Sequence, residues 1–194
     1  MTALGYKKYL VQGGDWGSTV SKWSAELFPN EVIGLHLNLV IAFPPEKDDP
    51  MEGVTDQEKI LLGRYAKYLE LGSGYFEIQR TKPQTLGYSL NDSPVGLAGW
   101  IIEKFHSWTD DEKDKLIVSL EDVLSIVSLY WFSESITSSM RLYNENGREG
   151  FSKSKVKVPT GCALFKNEIM LPPKAWAKEI YNLIHWEPLK NLRL

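Results

Sequence analysis

Residues 12–18 read Gln-Gly-Gly-Asp-Trp-Gly-Ser, directly after the apolar run Tyr9-Leu10-Val11. Just beyond them Val20, Trp23 and Leu27 fall at helical spacing. A glycine-rich turn between a strand and a helix leaves the chain few folds to choose from. Gly13-Gly14-Asp15-Trp16-Gly17 fits the small-x-nucleophile-x-small pattern of a nucleophile elbow, with aspartate where serine is more familiar. The glycines let neighbouring backbone approach without Cβ clashes, and the central residue sits on a strained turn. At a helix N-terminus the amide dipoles favour an ionised carboxylate. Such a group attacks an electrophilic carbon and becomes an ester, so the substrate needs a carbon with a leaving group. The backbone N–H of Trp16 would be one oxyanion donor for hydrolysing that ester. The plainer alternative is an aspartate that caps the helix, with the glycines forming an ordinary turn.

The elbow helix is stopped by Phe28-Pro29-Asn30-Glu31, and Val32–Val40 read as a second strand. Strand, turn, helix, strand is a βαβ unit, which predicts a parallel sheet. The Pro- and charge-rich stretch 42–53 marks a boundary. Beyond it Leu61, Tyr65, Tyr68 and Leu69 suit a helix ending near Gly72-Ser73-Gly74. Ser93 as N-cap and Pro94 at the first helical position open another, with Leu97, Ile101 and Phe105 as its apolar stripe. Ser119-Leu-Glu-Asp122 fits a capping box, and the helix it opens is expected to carry Leu124, Val127 and Trp131 and run on toward Gly147. Residues 156–165 return to strand character, with Glu168 just beyond, and a Pro-led helix and one more strand follow. The expected fold is α/β: a parallel sheet core (1–45 and 151–194) interrupted by a helical cap (46–150).

At 194 residues and 43% hydrophobic content the chain has the size and core of one globular domain. A net charge of −3 gives no basic face for a nucleic acid and no polybasic anchor. A single cysteine, Cys162, excludes an internal disulfide and argues against a cysteine-rich metal site. No apolar stretch approaches the ~20 residues of a membrane span, so the residues present read as soluble. Seven Trp, nine Tyr and seven Phe suggest an aromatic core or an apolar pocket.

Several separated motifs, GGDWGS, GLHLN, TKPQTLGYSLNDSPVGLAGWIIEKFHSW, LYWF, SSMRLYNEN and VPTG, resemble the microsomal-type epoxide hydrolases, a family that includes the juvenile hormone epoxide hydrolases. The resemblance runs over nearly the whole chain and implies a partial α/β-hydrolase fold. It makes Asp15 the nucleophile and Glu168 the charge-relay acid. Tyr75 and Tyr143 become the cap pair that hydrogen-bonds and protonates the epoxide oxygen. In such a family Asp15 opens the epoxide to a glycol ester, and a histidine oriented by the acid activates water to release a vicinal diol. No cofactor or metal takes part. The implied substrate is a small apolar epoxide: an arene oxide, a lipid epoxide or a juvenile-hormone-like terpenoid. The implied location is the microsomal membrane of the endoplasmic reticulum, although these residues contain no anchor.

The sequence departs from the family at the base. The Gly-Gly-His-Phe motif that carries the family's histidine does not occur. His36 lies inside the second strand and is expected to be a core or hydrogen-bonded residue. His106 falls late in a cap helix, and His185 lies in the last strand. The loop that supplies the family's second oxyanion contact is missing before the elbow as well. These departures predict a piece of a longer enzyme, shortened at both ends, whose open sheet edges invite pairing with another chain. Two other readings fit parts of the pattern. A haloalkane dehalogenase would use Asp15 with a halide-binding Trp16, and a non-catalytic fragment would bind apolar ligands or pair with another subunit.

Overall fold

The computed structural model describes residues 1–108, 118–147 and 151–189. β1 (Tyr9–Gly13), α1 (Trp16–Leu27) and β2 (Val32–Leu37) form the expected βαβ unit. Six helices follow: α2 (Asp56–Leu71), α3 (Gly74–Thr81), α4 (Pro83–Asp92), α5 (Pro94–Trp108), α6 (Leu120–Phe132) and α7 (Ile136–Asn146). The chain then returns through β3 (Val156–Phe165), α8 (Lys174–Ile180) and β4 (Tyr181–Leu189). The strands form one sheet in the order β1-β2-β3-β4, and every pair is parallel. The described residues divide into two units: Met1–Lys67 with the residues from Phe151 on, and those in between.

Register explains which side of the sheet is buried. Val11, Leu35, Thr160 and Leu183 lie side by side across the strands and belong to the packed face, where Leu35 and Thr160 are buried. The next row, Gln12, His36, Gly161 and His185, points the other way, and its three side chains are exposed. His36 is therefore not the core residue its place in a strand suggests. The packed face is completed by Ala25 of α1 and by Trp176, Ala177 and Ile180 of α8. Val54 and Leu62 join it too, so the segment after β2 and most of α2 belong with the sheet. Two long-range bonds fasten that segment: Trp176 Nε1 donates to the Pro50 carbonyl at 2.7 Å and Tyr181 OH to that of Ile41 at 3.0 Å.

α1 turns its apolar stripe outward, contrary to its spacing. Val20 and Leu27 are each 63% exposed and Trp23 is 44% exposed, whereas Ser18, Ser21, Lys22 and Ala25 are buried. The small residues at 18, 21 and 25 let the helix lie close to the strands. Lys22 is compensated in full: it pairs with Glu26 one turn on and donates to the Ser152 carbonyl at 2.9 Å, while Ser152 Oγ donates to Glu26 at 3.1 Å. Leu10, 73% exposed, adds apolar surface on edge strand β1.

In the helical unit the caps read from sequence are in place. Ser93 Oγ accepts from the Gly96 N–H at 3.0 Å, and Ser119 Oγ from the Asp122 N–H at 3.1 Å. Leu97, Val127, Ile136 and Met140 form its buried cluster. On α6 the buried face takes Val123, while Leu124 is 46% exposed. The long helix expected from Ser119 to Gly147 is two helices. Glu134 adopts φ 52°, and the Glu134 and Ser135 N–H groups bond back to Trp131 and Tyr130 at 3.2 Å each. That is a Schellman ending with glutamate where glycine is usual, so nothing in the residue types announces the break. The stretch 75–92, rich in polar residues, also forms two helices that spacing alone did not separate.

Candidate active site

The elbow has the expected form. Asp15 sits between β1 and α1 with φ 48° and ψ −133°, a region L-residues avoid, at a cost on the order of 1–3 kcal/mol. Two of the three glycines have a steric reason. A Cβ on Gly13 would lie 2.0 Å from the Gly17 carbonyl oxygen, and one on Gly14 would lie 2.5 Å from the Asn38 side chain. Gly17 differs: a Cβ there meets nothing within 4 Å, so its place in the pattern has no steric basis in this chain.

Asn38, just past β2, is a support that the sequence did not reveal. Its N–H donates to the Gly13 carbonyl at 3.2 Å, and its side-chain oxygen accepts from Gln12 Nε2 at 2.9 Å. From the other side the buried Ser18 hydroxyl donates to the Gly13 carbonyl at 3.2 Å. The turn is thereby held by both β2 and α1.

The backbone N–H of Trp16, the donor expected to serve an oxyanion, favours the charged form of the Asp15 carboxyl. The helix N-terminus does not decide the carboxyl's acidity. Crowding by the turn removes water from it and raises its pKa above the ordinary aspartate value, and the Trp16 N–H only partly offsets this. The residue as a whole remains open to solvent, which screens the effect. Half-buried rings stand next to the nucleophile: Trp16 and Phe151 have centroids 6.2 Å apart, and Phe43 and Phe151 5.9 Å apart.

Glu168 lies in the turn after β3, closed by its own N–H on the Phe165 carbonyl at 3.1 Å. Asp15 follows β1 in the same way, and the strands are parallel, so both carboxylates emerge at the carboxyl edge of the sheet. Glu168 also has a raised pKa. Desolvation is the main cause, the Ile169 N–H at 2.8 Å opposes it, and the negative charge of Asp15 adds to it. The sheet thus brings Asp15, the Trp16 N–H and Glu168 together at one edge.

The histidines are placed elsewhere. His185 pairs with Gly161 inside β4, level with Gln12 and His36, so it stands on the exposed sheet face below the carboxyl edge. His106 is exposed near the end of α5. Cys162 is buried, which pushes its thiol up to about 12 and leaves it protonated and unreactive at neutral pH.

In the helical unit Tyr75, on the first turn of α3, and Tyr143 of α7 stand edge to face with centroids 6.0 Å apart. Phe76 packs on Tyr143 at 5.3 Å. The two tyrosines, 68 positions apart in sequence, are therefore neighbours. Around Tyr75 are residues that sequence reading missed in this role: Tyr68, whose hydroxyl is 3.1 Å from that of Tyr75, Lys104 and Trp108. Lys104 and Trp108 were signalled only by the motif that contains them, and Tyr68 only by its helical spacing.

The raised carboxyls have a consequence for stability. Each binds its proton more tightly in the folded chain than in the unfolded one. Their contribution therefore grows as pH falls through the raised values, is complete below the ordinary carboxylate range, and is lost as pH rises again. Urea midpoints measured against pH should carry this component in the native chain. It should vanish in Asp15→Asn with Glu168→Gln, while the opposing contributions of Glu46, Asp56 and Glu77, all shifted down by cationic partners, remain in both.

No family model matches the chain. Over 205 aligned residues it is 40% identical to epoxide hydrolase 1 of Sus scrofa, covering 93% of this chain and 45% of that protein. It is 35% identical over 200 residues to the juvenile hormone epoxide hydrolase of Manduca sexta, covering 89% and 42%. Among solved structures, Aspergillus niger epoxide hydrolase superposes with a TM-score of 0.83 at 30% identity, over 95% of this chain and 47% of that one. The juvenile hormone epoxide hydrolase of the silkworm Bombyx mori gives 0.80 at 34% identity, over 96% and 50%. The chain thus spans a little under half the length of the curated relatives it matches. Over the length it spans, in its motifs and in its parallel sheet with the elbow aspartate, the chain belongs to the microsomal and juvenile-hormone type of epoxide hydrolase, within the α/β-hydrolase superfamily.

Proposed function

We propose that this chain carries the ester-forming half of an epoxide hydrolase: Asp15 as nucleophile, Trp16 N–H as oxyanion donor, Glu168 as charge-relay acid, and Tyr75 and Tyr143 as proton donors to the epoxide oxygen. The observation that carries this reading is the elbow, where an aspartate sits at φ 48° between β1 and α1 and the next N–H favours its charged form. A carboxylate oxygen of Asp15 bonds to an epoxide carbon as that carbon's bond to the ring oxygen breaks, and the ring oxygen takes a proton from a tyrosine. The product is a glycol ester of Asp15. The rings of Trp16, Phe43 and Phe151 suit an apolar epoxide.

Ester hydrolysis needs a base that takes a proton from water. These 194 residues contain no Gly-Gly-His-Phe, and His185 stands on the exposed sheet face. Ester formation should therefore outrun hydrolysis in the chain as it stands. Incubation with styrene oxide, digestion and mass spectrometry should find one equivalent of epoxide on the peptide containing Asp15, and none in Asp15→Asn. No adduct and no diol would favour the non-catalytic reading. Halide release from a bromoalkane would favour dehalogenation. Steady diol formation would show that a group within the chain serves as base.

A location at the endoplasmic reticulum membrane belongs to the same proposal and rests on the likeness to epoxide hydrolase 1. Among the described residues no helix is long and apolar enough to cross a membrane. Cell fractionation followed by carbonate extraction tests that part separately.

A further inference from the structure

Tyr75 is the meeting point of several helices. Tyr68, in the last turn of α2, has its hydroxyl 3.1 Å from that of Tyr75. Lys104 of α5 holds its ammonium 4.5 Å from the centre of the Tyr75 ring and 5.3 Å from that of Trp108. The Trp108 ring itself meets Tyr75 edge to face at 5.2 Å. The Lys104 side chain is only 20% exposed, and its ionic partner is its neighbour Glu103, at 2.6 Å and 58% exposed. Among the described residues, the titratable groups brought to this corner are Tyr68 from α2, Lys104 with Glu103 from α5, and Tyr143 from α7. On α3 itself Glu77 and Arg80 pair with each other at 2.6 Å.

An ammonium over an aromatic face is attracted to its electron cloud, more strongly where water is partly excluded. The attraction grows when the ring gains negative charge. A phenol that gives up its proton becomes a phenolate whose charge spreads into the ring, so a cation over that face stabilises the phenolate more than the phenol. A phenol hydroxyl donating to the same oxygen acts in the same direction.

We propose that Lys104 is a positioning residue for the reaction, making Tyr75 a stronger proton donor through its ring, with Tyr68 assisting at the hydroxyl. This rests on the reading of Tyr75 as a donor to the epoxide oxygen. When the carbon–oxygen bond of the ring breaks and the Asp15 ester bond forms, the oxygen takes the Tyr75 proton and Tyr75 is left as phenolate. Since the Tyr75 hydrogen is then directed at the substrate, Tyr68 is the donor in the pair. Water later returns the proton to Tyr75. Interactions that strengthen only as charge develops raise the rate of the chemical step and leave substrate binding unchanged.

The intact chain tests this with one reading that needs no activity and one that does. Tyrosinate absorbance is followed against pH, and the Tyr75 component is isolated by subtracting the Tyr75→Phe titration. Lys104→Met keeps the side-chain stem and should move that component upward by about one pH unit. Lys104→Arg keeps the cation and should return it close to the native position. With styrene oxide, the saturating rate of Asp15 ester growth should fall about tenfold in Lys104→Met and recover in Lys104→Arg, at an unchanged half-saturating concentration. An unmoved Tyr75 titration in Lys104→Met overturns the proposal, as does an equal shift in Lys104→Arg, which would mark a packing effect. Loss of the underlying reading looks different: Tyr75→Phe would then leave ester growth untouched, whatever Lys104 does to the titration.

Discussion

Gly13→Ala should destabilise the sheet unit by about 3 kcal/mol or more, while Gly17→Ala, four residues on, leaves stability unchanged or slightly raised. The new methyl at 13 would lie 2.0 Å from the Gly17 carbonyl oxygen and 2.7 Å from the Ser18 nitrogen. Both are backbone atoms at the start of α1, so no rotamer change relieves the clash. Either the helix start moves off the strand or the elbow opens. Each loses the Ser18 hydroxyl bond to the Gly13 carbonyl and the N–H of Asn38 that donates to the same oxygen. Gly14→Ala is the intermediate case. Its methyl meets the Asn38 side chain, which can turn away by giving up its bond from Gln12, at a cost of about 1 kcal/mol. At 17 the methyl meets nothing, and alanine suits a helix better than glycine by roughly 0.5–1 kcal/mol. Denaturant midpoints should therefore rank 13 well below 14, with 17 at or above the native chain. Equal losses at all three positions would mean that the pattern of glycines, and not this steric arrangement, sets the stability.

The second large effect concerns the tyrosines. Tyr75→Phe together with Tyr143→Phe should slow ester formation on Asp15 by a factor of about 10³–10⁴, the range associated with general acid catalysis at its stronger end. Each single variant should lose less, about tenfold to a hundredfold, because the other phenol still holds the oxygen. Phenylalanine keeps the edge-to-face packing of the two rings, 6.0 Å apart, and the contact of Tyr143 with Phe76. The loss should accordingly appear in the rate of adduct growth, followed by rapid-quench mass spectrometry, and hardly in thermal stability. A double variant that forms adduct at the native rate would remove both tyrosines from the mechanism.

How much of this the sequence disclosed follows from where each signal is stored. The elbow is local: its glycines, its aspartate and the strand and helix around it lie within twenty residues, and the turn formed as read. The caps at Ser93 and Ser119 are local too. What α1 buries is not. Spacing identified Val20, Trp23 and Leu27 as one stripe, but which stripe faces the sheet depends on small residues at 18, 21 and 25 and on Ser152, 130 positions beyond Lys22. The exposure of His36 is likewise a matter of strand register, since one residue along β2 reverses the face. At Glu134 the helix ends on a backbone conformation that the residue type does not advertise. The environment of Tyr75 is assembled from α2, α5 and α7, and no spacing within one segment could have brought Lys104 over its ring.

The backbone of Asp15 carries one more implication. With φ 48° and ψ −133°, its position suits glycine better than any residue with a side chain. A lineage or a laboratory selection that rewarded only thermal endurance would thus drift there first, and would lose the reaction with one substitution while gaining a firmer fold. Engineering for robustness must hold position 15 fixed and seek its improvements elsewhere, because the residue that chemistry requires and the residue that folding prefers are different ones.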